Sequence, residues 1–138
     1  MSLKGRRERY DEFARYYDLF KSEDPDDIPF YASFVREGCV ILELGVGTGR
    51  IAIPIAERTG CREVVGIDNA NEMLKIACTK RAASPVGDKI TLLRGDMRVL
   101  DLGRRVDLIL IPYYAFQFIT EVADQIFVLQ SVRRHLRP

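Results

Sequence analysis

The chain has 138 residues, 47% of them apolar and 30% charged, and its 21 Lys plus Arg against 20 Asp plus Glu leave a formal net charge of +1. That length suits one domain with its own apolar core, and so even a charge balance argues against a nucleic acid or an anionic membrane as the main partner. Cys39, Cys61 and Cys78 form no CxxC pair, which reads as reduced thiols in a cytoplasmic protein; the polar first residues predict no signal peptide, and no apolar run reaches membrane-spanning length.

The first predicted element is a helix over residues 6–20, with Tyr10, Phe13, Tyr17 and Phe20 at helical spacing. An acidic break, Ser22 to Asp27, contains Pro25. Asp26 or Asp27 then caps a second helix with Pro29 in its first turn, Phe30, Phe34 and Val35 along a face, and Gly38 at its end. From there strands and helices alternate. Val40–Leu44 is a strand, Arg50–Glu57 a helix made less regular by Pro54, and Glu63–Ile67 a second strand. Asn69–Ala83 is a helix with Met73, Ile76, Ala77 and Lys80 on one side, and a turn region over Ser84–Asp88 leads to a strand over Lys89–Arg94. Val106–Ile111 is the fourth strand, and Thr120 caps a last helix with a stripe of Val122, Ile126, Leu129, Val132 and Leu136. The basic pairs Arg6-Arg7 and Arg133-Arg134 read as solvated helix faces, and His135 as a positive charge at a helix C-terminus. Strands separated by crossovers predict an α/β fold: a Rossmann-like, doubly wound parallel sheet with helices on both faces.

The most informative stretch runs from Val40 to Gly49. A buried strand ends in Gly45, Gly47 and Gly49 at alternate positions, and a helix opens directly behind them. Such a turn lets backbone approach a ligand closely, and ligands of open parallel sheets gather at the carboxyl ends of the strands. The dinucleotide fingerprint needs a third glycine where this chain has Arg50, and no lysine follows the glycines as in a phosphate-binding P-loop. The second strand ends in Asp68, nineteen residues beyond Gly49, and the third in Gly95-Asp96-Met97.

The series Glu43-x-Gly45-x-Gly47-x-Gly49 followed by Asp68 and Asp96-Met97 resembles the class I S-adenosylmethionine-dependent methyltransferases of the small-molecule type. The resemblance covers most of the chain. It implies S-adenosyl-L-methionine as cofactor and a small-molecule methyl acceptor as partner. It implies a glycine turn beneath the methionine portion with Glu43 near that end, Asp68 on the ribose hydroxyls, and Gly95, Asp96 and Met97 around the adenine. It sets Asn69, Met73 and Ile111 beside the cofactor, Tyr17 in a lid over it, and Tyr113 and Tyr114 against the acceptor; it singles out no catalytic base and no metal. Residues 1–38 are then a helical segment capping the cofactor site and residues 39–138 the N-terminal part of the Rossmann-like domain. The family's sheet continues beyond four strands, so the chain is expected to be truncated, with its fourth strand an apolar edge prone to self-association. Structural readings compete at each position: Asp68 as a helix cap, Asp96 as a turn residue, Met97 as core filler, Tyr17 as core packing. The alternatives for the whole chain are a non-catalytic nucleotide-binding module of the same fold and, weakened by Arg50, an NAD-dependent oxidoreductase.

Overall fold

The computed structural model describes residues 3–21 and 27–138, and the side chains within them except those of residues 3–7 and 21. Residues 22–26, with Pro25 and Asp26, lie outside the described residues, as do the side chains of Arg6 and Arg7. The elements in order are α1 (Leu3–Lys21), α2 (Asp27–Ala32), β1 (Val40–Leu44), α3 (Ala52–Arg58), β2 (Glu63–Asp68), α4 (Asn71–Ala83), a 3-10 turn (Gly87–Lys89), β3 (Ile90–Arg94), β4 (Leu108–Leu110) and α5 (Val122–His135).

Among the described residues the four strands form one parallel sheet in the order β3-β2-β1-β4. The order reverses between β1 and β4, so the carboxyl end of β1 borders a crevice into which a ligand can drop. Alternation along β1 splits the core into two layers. Ile41 joins α3, α4 and Cys61 on one face, while Val40, Leu42 and Leu44 join Val65, Ile67, Leu100 and Val132 of α5 on the other. Pro54 sits in the first turn of α3, where a missing N–H costs nothing. Gly66, in β2, passes beneath Val46 with no room for a side chain: an added Cβ would lie 2.6 Å from Val46 Cγ2.

The helix faces differ from the expected ones. Along α1, Ala14 is the buried residue, flanked by half-buried Tyr10 and Tyr17 against Met73 and Ala70. Phe20 is exposed, because the helix leans on α4 through its smallest side chain. α2 ends at Ala32, well before Gly38, and turns Ile28 and Tyr31 inward, leaving Phe30 and Phe34 outside. Leu74, not anticipated, is buried in α4. On α5 the expected stripe is largely solvent-facing, with Val122 69% and Leu129 55% exposed, and Val128, Ser131 and His135 form the buried side. Thr120 does not cap α5; Glu121 precedes it, without a side-chain cap bond.

His135 accounts for the change of face. Its Nε2 accepts the Leu102 N–H at 3.0 Å and its Nδ1 meets the Ser131 carbonyl at 2.7 Å, a neutral ring with the proton on Nδ1. A polar group paired on both sides is cheap to bury, so this histidine is a buried connector and not a capping charge. β4 is shorter than expected for a related reason. Val106 leaves the sheet register to bond with the chain after α5: its N–H goes to the His135 carbonyl and its own carbonyl accepts from Arg137. The β4 edge is therefore covered at its Val106 end. Cys39 and Cys61 are buried, Cys78 is exposed, and all three are free.

Candidate active site

Three strand ends and two loops surround a cavity of about 440 Å³. Its floor is the turn after β1. Gly45, Gly47 and Gly49 all have left-handed φ angles, 79°, 55° and 77°, which L side chains adopt at a cost. Gly45 has a second reason to lack a side chain, since an added Cβ would lie 2.8 Å from Ala115 Cβ in the loop after β4. The turn is pinned from beneath, where the Gly45 and Val46 N–H groups share the Ile67 carbonyl at 2.8 and 2.9 Å.

Asp68 ends β2 with one oxygen accepting the Gly47 N–H at 2.7 Å and the other accepting the Ala70 N–H at 2.9 Å. Burial raises its carboxyl above the usual value, and these backbone donors only partly offset that. The next residue in the cavity wall, Asn69, is exposed. Across the cavity Gly95, Asp96 and Met97 follow β3. Asp96 is held by Arg98, which reaches both its oxygens and also Asp124 at 2.8 Å. That guanidinium holds the Asp96 carboxyl below its ordinary range.

The roof is α1. Tyr10, Phe13 and Tyr17 face the cavity. Asp11 of the same helix accepts the Glu72 N–H at 2.8 Å, which satisfies an orphan donor at the start of α4. Asp18 accepts the Thr48 hydroxyl at 2.6 Å and pairs with Lys80. The helix is thus fastened at two points to the glycine turn and α4. The far wall is the loop after β4, with Pro112, Tyr113, Tyr114, Ala115, Phe118 and Ile119. Tyr113 and Tyr114 meet edge to face, 4.4 Å between centroids, and Tyr10 meets Phe118 at 5.6 Å.

Beneath the floor lies Glu43, 2% exposed. Burial drives its carboxyl well above the usual range; Arg50 pulls it back and Asp68 pushes it further up. Its Oε2 and the Arg50 Nε are buried side-chain atoms with no hydrogen-bond partner among the described residues. Two unpartnered groups of opposite character, donor and acceptor, sit behind one turn, where buried polar groups ordinarily find partners.

A sequence model described as a methyltransferase domain matches residues 41–138, most of the chain. The chain belongs to the methyltransferase domain family. YqeM of Bacillus subtilis (strain 168) is 33% identical over 132 residues, which is 94% of this chain and 51% of that protein. The CcbJ methyltransferase from Streptomyces caelestis superposes with a TM-score of 0.77 at 30% identity, over 91% of this chain and 52% of that one. The glycopeptide N-methyltransferase MtfA complexed with S-adenosyl-L-methionine gives 0.74 at 28% identity, over 81% of this chain and 49% of that one. The chain spans about half the length of these relatives.

In this methyltransferase domain, most of the residues singled out from sequence come together. Tyr17, Gly45, Gly47, Asp68, Asn69, Met73, Gly95, Asp96, Met97, Tyr113 and Tyr114 all border the cavity. Glu43, Gly49 and Ile111 do not. Glu43 is sealed under the turn. Gly49 packs against α3, where an added Cβ would lie 2.9 Å from Ile53 Cδ1, so the close-packing glycine that Arg50 excluded from the dinucleotide pattern is here one position earlier. Ile111 lies against the core layer of Val40 and Leu42. Phe118 borders the cavity as part of the loop over residues 112–118 expected to touch the acceptor; sequence reasoning missed Phe13 as a wall residue, Arg98 and the Asp11 and Asp18 fastenings. The aromatic spacing of α1 was a signal for Phe13; the side-chain partners of Arg98, Asp11 and Asp18 had none, since they come from remote elements.

Proposed function

We propose that the protein is an S-adenosylmethionine-dependent methyltransferase acting on a small-molecule acceptor. The observation that carries this is the meeting of the glycine turn, Asp68 and Gly95-Asp96-Met97 around one cavity at the carboxyl ends of β1, β2 and β3. The residues present suit the cofactor. Gly45 and Gly47 offer an edge without Cβ atoms to the methionine portion, and Glu43, sealed behind the turn with its Oε2 unpartnered, would act on that end only through a bridging water. Each Asp68 oxygen already accepts one backbone N–H and keeps a lone pair for a ribose hydroxyl. Asp96 is held by Arg98 and would take the adenine amine on an oxygen that Arg98 yields. Asn69 and Met73 border the ribose side, and Ile111 supports the far wall from the core.

When bound, the cofactor supplies an electrophilic methyl group and a thioether leaving group. The chain's own work is positioning and exclusion of water. Residues 1–38 cap the site through Tyr10, Phe13 and Tyr17, while residues 39–138 form the nucleotide-binding part. Tyr113 and Tyr114 shape an acceptor site whose walls are mainly aromatic, which favours a partly apolar molecule. Among the described residues lining the cavity the groups able to take a proton are Asp68, Asp96 and the tyrosines, and none of them is singled out as a catalytic base. Three free thiols, two of them buried, fit a reducing, cytoplasmic setting. The β4 edge and the exposed Val122, Ile126, Phe127 and Leu129 of α5 favour self-association, read by light scattering across concentrations; a monomer at the highest concentration would remove that part.

Calorimetric titration with S-adenosylmethionine, S-adenosylhomocysteine and NAD tests the reading. Binding of the two sulfur compounds and not NAD is expected, and NAD binding alone would overturn it. Asp68→Ala is expected to weaken that binding by about 1–3 kcal/mol, the scale for hydrogen bonds to a charged group; unchanged affinity would leave Asp68 as a turn residue only.

A further inference from the structure

Two of the tyrosines facing the cavity interact with the same half-buried cation, which is not itself among the residues lining that cavity. Arg50 follows the glycine turn and places a two-pronged fork on Asp27 of α2, at 3.0 and 2.5 Å. Its guanidinium stands over the Tyr113 ring, 5.9 Å from the centroid, and acts electrostatically on the Tyr17 hydroxyl. Burial works against the Arg50 charge, but Asp27 and Tyr17 more than offset it and hold the guanidinium above its ordinary value.

Tyr113 is also the one non-glycine residue in the left-handed region among those described, with φ 59°. An L residue persists there only where its surroundings over-determine it. Part of that determination comes from α2, where the Tyr31 hydroxyl accepts the Tyr113 N–H at 3.1 Å. A second part is the cation over its ring. Neither Asp27 nor Tyr31 lines the cavity, yet Asp27 leads through Arg50 to both tyrosines and Tyr31 leads to Tyr113.

We propose that Arg50, anchored by Asp27, is a positioning residue that holds Tyr17 and Tyr113 in place around the acceptor, with Tyr31 fixing the Tyr113 backbone. This makes α2 the support of the acceptor wall, although it contributes no wall residue. The proposal rests on the transferase reading for its word acceptor; the arrangement of the two tyrosines stands apart from that reading. A simple tie between α2 and the glycine turn would stabilise the fold without orienting either ring, whereas a positioning tie moves particular rings when it is lost.

The test is fluorine NMR on the full 138-residue chain with its six tyrosines replaced by 3-fluorotyrosine, the Tyr17 and Tyr113 signals being assigned from Tyr→Phe variants. In Arg50→Met and in Asp27→Asn both signals are expected to move toward the position of a solvent-exposed fluorotyrosine. In Tyr31→Phe only the Tyr113 signal is expected to move, which a general loosening would not produce. Folding is checked by cooperative thermal unfolding, and if Arg50→Met does not fold, Asp27→Asn and Tyr31→Phe decide. Folded variants with a lower melting temperature but both signals in place would overturn the proposal. Titration of the unaltered chain with S-adenosylhomocysteine is a separate arm: failure to bind defeats the transferase reading, while the role of Arg50 stands or falls with the fluorine signals.

Discussion

Gly66→Ala is the sharpest test of how the sheet supports the glycine turn. Gly66 lies in β2 with a backbone that alanine adopts without strain, since its φ is not among the positive ones. On chain entropy alone the substitution would stabilise the fold by about 0.4–1 kcal/mol. Packing reverses the sign. The new Cβ would stand 2.6 Å from Val46 Cγ2, 2.9 Å from Val46 Cβ and 3.1 Å from Leu92 Cδ2. Val46 cannot retreat easily, because it is 3% exposed and its N–H is bonded to the Ile67 carbonyl. Overpacking of this kind costs about 1–3 kcal/mol, so a net destabilisation of about 1–2 kcal/mol is expected, or a fall in melting temperature of about 3–10 °C for a chain of this size. Thermal unfolding followed by circular dichroism at fixed protein concentration reads it. The partner is identified by a double-mutant cycle with Val46→Ala, in which the pair should cost less than the sum of the single changes by about 0.5–2 kcal/mol. Since Val46 lies between Gly45 and Gly47, Gly66→Ala should also weaken binding of S-adenosylhomocysteine. A melting temperature at or above that of the unaltered chain, or a strictly additive cycle, would refute the reasoning.

Three further outcomes are expected. Burial holds the Glu43 carboxyl well above its usual value, so the folded state binds that proton more tightly than the unfolded chain. The resulting stabilisation is present at low pH and is lost as pH rises from the unfolded carboxylate value through the folded one. Glu43→Gln should flatten that decline and melt higher than the unaltered chain at alkaline pH, and parallel pH profiles in urea titrations would count against it. Asp96 is the opposite case, lowered first by its hydrogen bonds to Arg98. Its stabilisation is present above the unfolded carboxylate value and fades as pH falls through the folded one, so Asp96→Asn should cost about 0.5–1 kcal/mol at neutral pH, screened by its partial exposure, and nothing in strong acid; an equal cost at both ends would disprove the pairing. His135→Leu strands the Leu102 N–H and should cost about 1–3 kcal/mol in denaturant unfolding, whereas a surface capping charge would lose only a few tenths.

Much of the fold was legible in the sequence, because parallel sheets bury their strands on both sides and leave near-continuous apolar runs. Val40–Leu44 emerged with the expected bounds, and β2 and β3 came within a residue of theirs. The glycine turn, Asp68 and Gly95-Asp96-Met97 were visible for a similar reason: each stands at or directly after the end of a strand, so the local pattern already places it at the carboxyl edge of the sheet. The helix faces were not legible. Periodicity marks which residues could share a face, but α5 took its buried side from His135 and Val128 because the Leu102 N–H and the Ser131 carbonyl were there to satisfy a ring that periodicity treats as polar. α1 likewise chose Ala14 over Phe13 as its point of contact, since close approach to α4 requires a small side chain. The bounds of β4 depended on Val106 finding partners after α5, thirty residues along the chain. Chain order and strand chemistry thus determined the sheet and the strand-end residues of the cavity. Only tertiary contact decided which faces are buried, that Arg98 occupies Asp96, and that Arg50 connects α2 to two tyrosines, because each depends on partners from elements far apart in sequence.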